Sequence, residues 1–259
     1  MKRRDGARRE IPWSELGVSM LSPEARAIVG RDWLSRMKSE HLAVSAFSMI
    51  ACELAEVGCE PIVLEMITRA AVDEVRHTDV CKRLAEGFLG REAVPQRLKG
   101  VPKIPRHEHS STTDRALLHV VEMCCFNETF TGIYLGEMLE RTTDVAARAA
   151  IESLLEDEVD HGRVGWAHLS ACCREGFGAA TVERALPTLM QRSVGPVIAA
   201  ANQGHPRDAR LEAHGWLSAS DGATIYRQAL ADVVFPGLEA VGVDVGEARG
   251  LAASRGFIT

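Results

Sequence analysis

The sequence predicts an all-α protein: four long helices arranged as two hairpins, joined by one long crossover, with further helices at the C-terminal end. Three observations predict it. Glycine and proline cluster in a few places, and the segments between them carry apolar residues at helical rather than alternating spacing. The first and second long segments, and likewise the third and fourth, are separated by only a few residues, so each pair must be antiparallel neighbours. The stretch 89–113, between the second and third, is long enough to run the length of a bundle, which a plain up-down arrangement would not need.

Each element has its own signals. Ser22 as N-cap and Pro23 at the first helical position start a helix that runs to about Val57, with Gly30 a weak point early on and Gly58 as its C-cap. Pro61 opens a second helix, to about Phe88. The crossover then holds Gly90, Pro95, Gly100, Pro102 and Pro105, together with His107 and His109. Thr113 can cap a third helix from Asp114 to about Glu140, and a break at 141–143 leads into a fourth that reaches about Gly176. Shorter helices follow near 179–201, 221–240 and 244–254, with Gly204 and Pro206 in the loop after the first of these. The expected organisation is a basic N-terminal arm (1–21, with Lys2, Arg3, Arg4, Arg8 and Arg9), a four-helix bundle (22–176), and C-terminal helices packed on it (177–259).

Composition narrows the function. The chain has 259 residues, 46% hydrophobic and 25% charged, the balance of a folded domain with a substantial core. A net charge of −6 and 5% aromatics, with two tyrosines, argue against a nucleic-acid partner. No apolar run approaches the roughly 18 residues of a membrane span, and no apolar stretch follows the basic N-terminus. Seven cysteines occur without a C-x-x-C pair, and Cys124–Cys125 and Cys172–Cys173 are sequence neighbours that point apart on a helix. Reduced thiols and a cytoplasmic location are the expectation, and zinc-ribbon attachments are excluded.

The chemistry sits in two segments. Asp73-Glu74-Val75-Arg76-His77 and Asp157-Glu158-Val159-Asp160-His161 are both D-E-x-x-H, one on the second helix and one on the fourth. Asp-Glu occurs only twice in the chain, and His follows the Glu by three both times, a coincidence on the order of one in a thousand. Residues three apart share a helix face about 5–6 Å apart, so each Glu–His pair can bind one metal ion. A two-metal site needs further carboxylates from the partner helix of each hairpin. Counted from the turn at 59–60, Glu74–His77 lie about 15–18 residues away and Glu40 about 20; at 1.5 Å per residue Glu40 is about one turn off and Glu53 roughly 13 Å off. In the second hairpin, Glu128 and Glu122 both fit axially, but they are six residues apart and face different ways. Glu128 is preferred because Thr131 and Gly132 leave space for a ligand on its face; Glu122 is the alternative. The expected metal ligands are therefore Glu40, Glu74, His77, Glu128, Glu158 and His161. Four such carboxylates in an apolar core would repel and protonate unless cations bound them, and two divalent ions would balance the four negative charges.

On these residues the chain resembles the ferritin-like non-haem di-iron carboxylate superfamily, over about 30–175. Its D-E-V-R-H at 73–77 is similar to the signature of the oxygen-activating branch, which includes multicomponent monooxygenase hydroxylases and acyl-carrier-protein desaturases. The second copy departs from it, with Asp160 where Arg is usual. The resemblance implies that Asp73 orients His161 and Asp157 orients His77, each accepting from the far ring nitrogen. It also implies an enzyme with two iron ions that activates O₂ to hydroxylate, N-oxygenate or desaturate a small organic substrate, supplied by an external electron donor, with a homodimer as an open expectation. The competing readings are a manganese catalase or peroxide scavenger, with Mn or mixed Mn/Fe, and a ferroxidase or iron-storage protein. Storage ferritins are shorter and lack a second complete motif. Leu154 stands where a three-His N-oxygenase would carry His, and Tyr134 is six residues past Glu128, too far for a radical-generating subunit.

Thr131, Gly132, Gly162 and Gly165 are candidates for lining a cavity beside the metals, against close helix packing as the other reading. His168 reads as a core-edge histidine rather than a proton relay or extra ligand. His107, His109 and His119 carry no partner pattern.

Overall fold

The computed structural model of the chain describes residues 10–94, 107 and 110–258. The arm residues Lys2, Arg3, Arg4, Arg8 and Arg9, most of the crossover, and His109 lie outside the described residues. The described chain is helical throughout, without a strand.

Helix α1 (Pro23–Glu56) starts as the sequence predicts: the Ser22 hydroxyl accepts the Ala25 N–H, with Pro23 at the first position. It is not interrupted at Gly30. A Cβ there would meet the Leu89 side chain at 2.7 Å, so the missing side chain lets the end of the next helix come close. Gly58 takes φ 69° just past the helix end, and α2 (Pro61–Leu89) ends on Gly90 at φ 64°, both in the left-handed region.

The third long segment differs from expectation in two ways. Its cap is Ser111 rather than Thr113, because the Ser111 hydroxyl accepts the Asp114 N–H at 3.1 Å. It is also not uniformly α-helical: α3 (Thr112–Val120) passes into a π-helix, π1 (Val121–Glu128), and then into α4 (Thr129–Arg141). Helix α5 (Val145–Arg174) follows, capped by Asp144, which accepts the Ala147 N–H.

The C-terminal region is more broken than predicted. The expected helix over 179–201 divides into α6 (Gly178–Ser193) and α7 (Gly195–Ala200), split ahead of Pro196. A short α8 (Ala209–Glu212), capped by Asp208, was not anticipated. The expected 221–240 helix is α9 (Ala219–Ala229), π2 (Leu230–Val234) and α10 (Phe235–Ala240). Pro236 has no N–H to offer the Asp232 carbonyl, which accounts for the irregular register just before it. The last helix is α11 (Gly246–Ser254).

Packing places the site. Helix α1 lies along α2, while π1 and α4 lie along α5; α2 meets α5, and α1 meets α3. One apolar cluster gathers Trp33, Met37, Cys81, Leu84, Met138, Ile151 and Leu154. Another gathers Phe47, Ile50, Leu54, Ile67, Ala70, Val120, Cys124 and Val164. On all four segments the candidate ligands fall in the interval between these clusters, at Glu40, Glu74–His77, Glu128 and Glu158–His161. A third cluster joins Phe126, Phe130 and Leu169 to Val182, Leu189, Phe235 and Phe257, so the C-terminal helices share a core with π1, α4 and α5.

Candidate metal centre

All six expected ligands converge. Two groups of donor atoms form, each within 4.8 Å: Glu40, Glu74, His77 and Glu158; and Glu74, Glu128, Glu158 and His161. Glu74 and Glu158 belong to both. Each divides its two oxygens between the two histidines. His77 Nδ1 lies 3.5 Å from Glu74 Oε2, 3.2 Å from Glu158 Oε1 and 3.8 Å from Glu40 Oε2. His161 Nδ1 lies 3.2 Å from Glu74 Oε1, 3.3 Å from Glu158 Oε2 and 3.7 Å from Glu128 Oε2. The two rings stand 5.8 Å apart. Donors about 2.1 Å from one ion and at right angles are about 3 Å from each other, so the 3.2–3.8 Å spacings here would need only a small contraction around an ion. Glu40 comes in beside His77, the motif residue furthest from the turn. This leaves only about two residues, ~3 Å, of the expected one-turn gap.

The buried atoms of this cluster lack the partners that a protein interior requires. Glu74 Oε1 and Oε2, Glu158 Oε2, His77 Nδ1 and His161 Nδ1 are buried and make no hydrogen bond. Buried carboxylates left in this state cost several kcal/mol each, about the order found when one member of a buried ion pair is removed. Metal ions would satisfy all five atoms at once, so the residues fit a metal-bound state. A buried Glu/His cluster able to hold metal is what the structure presents; it does not discriminate iron from manganese.

Burial and contacts within the cluster pull its titratable groups in opposite directions. Burial pushes Glu40 up to about 8 and raises Glu128 well above the usual carboxylate range. Burial acts in the same direction on Glu74 and Glu158, but contacts with the two histidines, and with Glu128 for Glu158, outweigh it and hold both below their usual value. Burial would lower His77 and His161; their carboxylate neighbours, led by Asp157 and Asp73 respectively, raise both instead. Divalent cations binding there would displace the protons, since bound ligands are deprotonated.

The far ring nitrogens meet acids from the opposite motif. His77 Nε2 is 3.3 Å from Asp157 Oδ2, within hydrogen-bonding distance, whereas His161 Nε2 lies 3.7 Å from Asp73 Oδ2 and makes no hydrogen bond, so only the first of the two expected pairings is formed. Arg76 holds Asp157 in place, its guanidinium also donating to the Ser153 hydroxyl and carbonyl at 2.8 Å. The second motif has no such arginine. Asp160 is an exposed partner of Arg163, and Arg69, one turn before Asp73, approaches Asp73 at 3.7 Å instead.

A cavity of about 480 Å³ opens beside the cluster, between α1 and the π1–α4 segment. Glu40, Glu128 and Glu158 reach it at one end, and Leu42, Ala46, Ile50 and Met123 form an apolar wall. Thr131 lines it. Gly165 serves packing: a Cβ there would meet Cys124 Cβ at 2.3 Å, so its absence lets α5 approach π1, whereas a Cβ at Gly162 would make only an ordinary 3.5 Å contact with Thr129 Oγ1. Gly132 sits over Glu158, where a Cβ would find Glu158 Cβ at 3.9 Å.

Glu122 does not join the cluster. Its Oε2 lies 3.8 Å from His107 Nε2 and 3.7 Å from Arg192. It nevertheless lines the same cavity as Glu128. The wider turn of a π-helix puts residues five apart on one face, which aligns Glu122 with Asn127 and Met123 with Glu128. Nothing in the sequence pattern signals this. Glu53, rejected on axial distance, pairs with His119 Nδ1 at 2.6 Å and Arg115 at 3.1 Å. His168 stays outside the cluster, 3.7 Å from Cys172 Sγ, with burial lowering its pKa.

All seven cysteines are free thiols, four of them buried. Among the described residues no helix is long and apolar enough to cross a membrane. Comparison of the chain with protein-family models, with curated proteins and with solved structures finds no match.

Proposed function

We propose that the chain is a dinuclear metal oxidase or oxygenase, built on a ferritin-like four-helix bundle whose hairpins are α1–α2 and the α3–π1–α4 segment with α5, linked by the 89–113 crossover. The division of the Glu74 and Glu158 oxygens between His77 and His161 carries this reading. Glu74, Glu158, Glu40 and His77 would hold one ion, and Glu74, Glu158, Glu128 and His161 a second.

Two iron ions held there would supply redox chemistry with O₂. The protein's part is positional. Asp157 orients the His77 ring by a hydrogen bond and Asp73 faces the far nitrogen of His161, and both rings turn Nδ1 toward the glutamates. The two apolar clusters exclude water above and below, and the cavity admits a small organic molecule to the end where Glu40, Glu128 and Glu158 lie. A chamber of this size supports an organic substrate over peroxide dismutation, which needs no such space. Electrons for turnover would come from an external donor.

Loading the chain with ferrous salt under anaerobic conditions, followed by metal analysis and an oxygen-electrode trace, tests the proposal. Two irons per chain and O₂ uptake dependent on reductant are expected. A chain that stays metal-free overturns it, and oxygen release from peroxide by a manganese-loaded form would replace it with the catalase reading.

A further inference from the structure

Every charged group on the cavity wall already faces a counter-charge of the protein's own. Glu122 is paired with Arg192 at 3.7 Å and faces His107 at 3.8 Å. His119 meets Glu53 at 2.6 Å, and Glu53 in turn meets Arg115 at 3.1 Å. Glu40, Glu128 and Glu158 reach the cavity from the cluster, where each faces a histidine at 3.2–3.8 Å and where bound cations would also answer them. A molecule carrying a charge of its own would enter this space without a partner, and an unpaired charge away from water is costly.

Two neutral side chains are in the opposite state. Asn127 and Thr131 stand four residues apart where π1 passes into α4, on either side of Glu128, and both line the cavity. Among the described residues, neither the Asn127 carboxamide nor the Thr131 hydroxyl has a hydrogen-bond partner. The remaining hydroxyl of the wall, Ser39, donates to the Ser35 carbonyl at 3.4 Å. The open hydrogen-bonding capacity of the cavity is therefore uncharged. Leu42, Ala46, Ile50 and Met123 offer only apolar surface.

We propose that the cavity takes an uncharged organic molecule with an apolar body and one polar oxygen, a ketone or an alcohol, whose oxygen accepts a hydrogen bond from the Asn127 carboxamide, with Thr131 as the second contact. This rests on reading the cavity as the substrate chamber of the dinuclear centre. At about 1.5 Å of rise per residue, Asn127 and Thr131 both lie within about 5 Å of Glu128 along the helix axis. An oxygen held there presents its neighbouring carbons, rather than the far end of the molecule, to the centre.

The test is calorimetric titration of the purified full chain, metal-free and loaded with ferrous ion under anaerobic conditions. The probes share one ring: cyclohexanone, cyclohexanol, methylcyclohexane, cyclohexylammonium and, in the metal-free chain where no ion can ligate it, cyclohexanecarboxylate. Wild type is compared with Asn127→Leu, Asn127→Asp and Ala46→Phe, each assayed for metal content. Wild type should bind the ketone or the alcohol at least about tenfold more tightly than either charged ring. In Asn127→Leu the affinity of that ligand relative to methylcyclohexane should fall at least about fivefold, the effect of one lost hydrogen bond. Asn127→Asp adds a carboxylate without a counter-charge and should gain binding of cyclohexylammonium. Ala46→Phe, which narrows the apolar wall, should weaken all three neutral rings. A charged ring bound as tightly as the neutral ones, an unchanged relative affinity in Asn127→Leu, or no binding of any ring overturns the proposal, and two metals retained in those samples would show that the dinuclear reading survives it. An oxygen preference that depends on Asn127 in a chain that takes up no metal would support the neutral site and overturn the metal reading instead.

Discussion

Six side chains do unequal work at the candidate centre, and the inequality can be measured. Glu74 and Glu158 each face both histidines, whereas Glu40 and Glu128 each face one. Glu158→Ala or Glu74→Ala should therefore lose both ions, while Glu40→Ala or Glu128→Ala should lose one and keep the other more weakly, as read by metal analysis after desalting. If all four variants lost metal equally, the assignment of Glu74 and Glu158 to both ions would fail. Asp157 acts through His77, which it contacts at 3.3 Å. Asp157→Asn should weaken metal binding by about 10–100-fold, the usual effect of losing the group that orients a ligating histidine. Asp160→Asn, three residues on and facing Arg163 at the surface, should leave the affinity unchanged, and a competitive chelator titration compares the two.

At the scale of elements, the contact between α5 and π1 is the tightest constraint. Gly165 sits where a Cβ would lie 2.3 Å from Cys124 Cβ, a contact that only backbone movement can relieve. Gly165→Ala should destabilise the fold by about 1–3 kcal/mol, the range for overpacking a dense interior. Gly136, on α4, has nothing within 4 Å of its hypothetical Cβ. Gly136→Ala should stabilise the protein by about 0.5–1 kcal/mol through helix propensity. Urea unfolding of the two variants gives opposite signs on this account, and matching signs would show that the close approach is not what the glycine provides. The π-helical turn belongs to the same contact: it widens the helix where α5 presses in, and it brings Glu122 and Asn127 onto the cavity side.

For the whole molecule, binding and folding are linked. The cluster joins all four long segments, so ions bound there should stabilise the folded chain and not the unfolded one. At 100 times the dissociation constant each site adds about 2.7 kcal/mol, and a chain of this size gains roughly 2–4 °C in Tm per kcal/mol. Scanning calorimetry with and without ferrous ion under anaerobic conditions should show a rise of several degrees, reversed by chelator. An unchanged Tm in a chain that has taken up metal would place the ions outside the shared interior.

Much of this was legible along the chain because it depends on local rules. Ser22–Pro23, Gly58 and Pro61 bracket the first hairpin by capping and backbone preference, which act over a few residues. The paired D-E-x-x-H segments announce themselves because three-residue spacing puts Glu and His on one helix face whatever surrounds the helix. Counting along antiparallel helices brought Glu40 within about one turn of the motifs and left Glu128 level with Glu122, the small residues Thr131 and Gly132 favouring Glu128. Tertiary structure alone decided the rest. The π turn of 121–128, the role of Glu122 at the cavity end rather than the centre, the pairing of Glu53 with His119, and Gly165 of α5 as a contact point all depend on how close two helices come. That distance is set by side chains far apart in sequence, and a pattern read along a single strand of residues does not contain it.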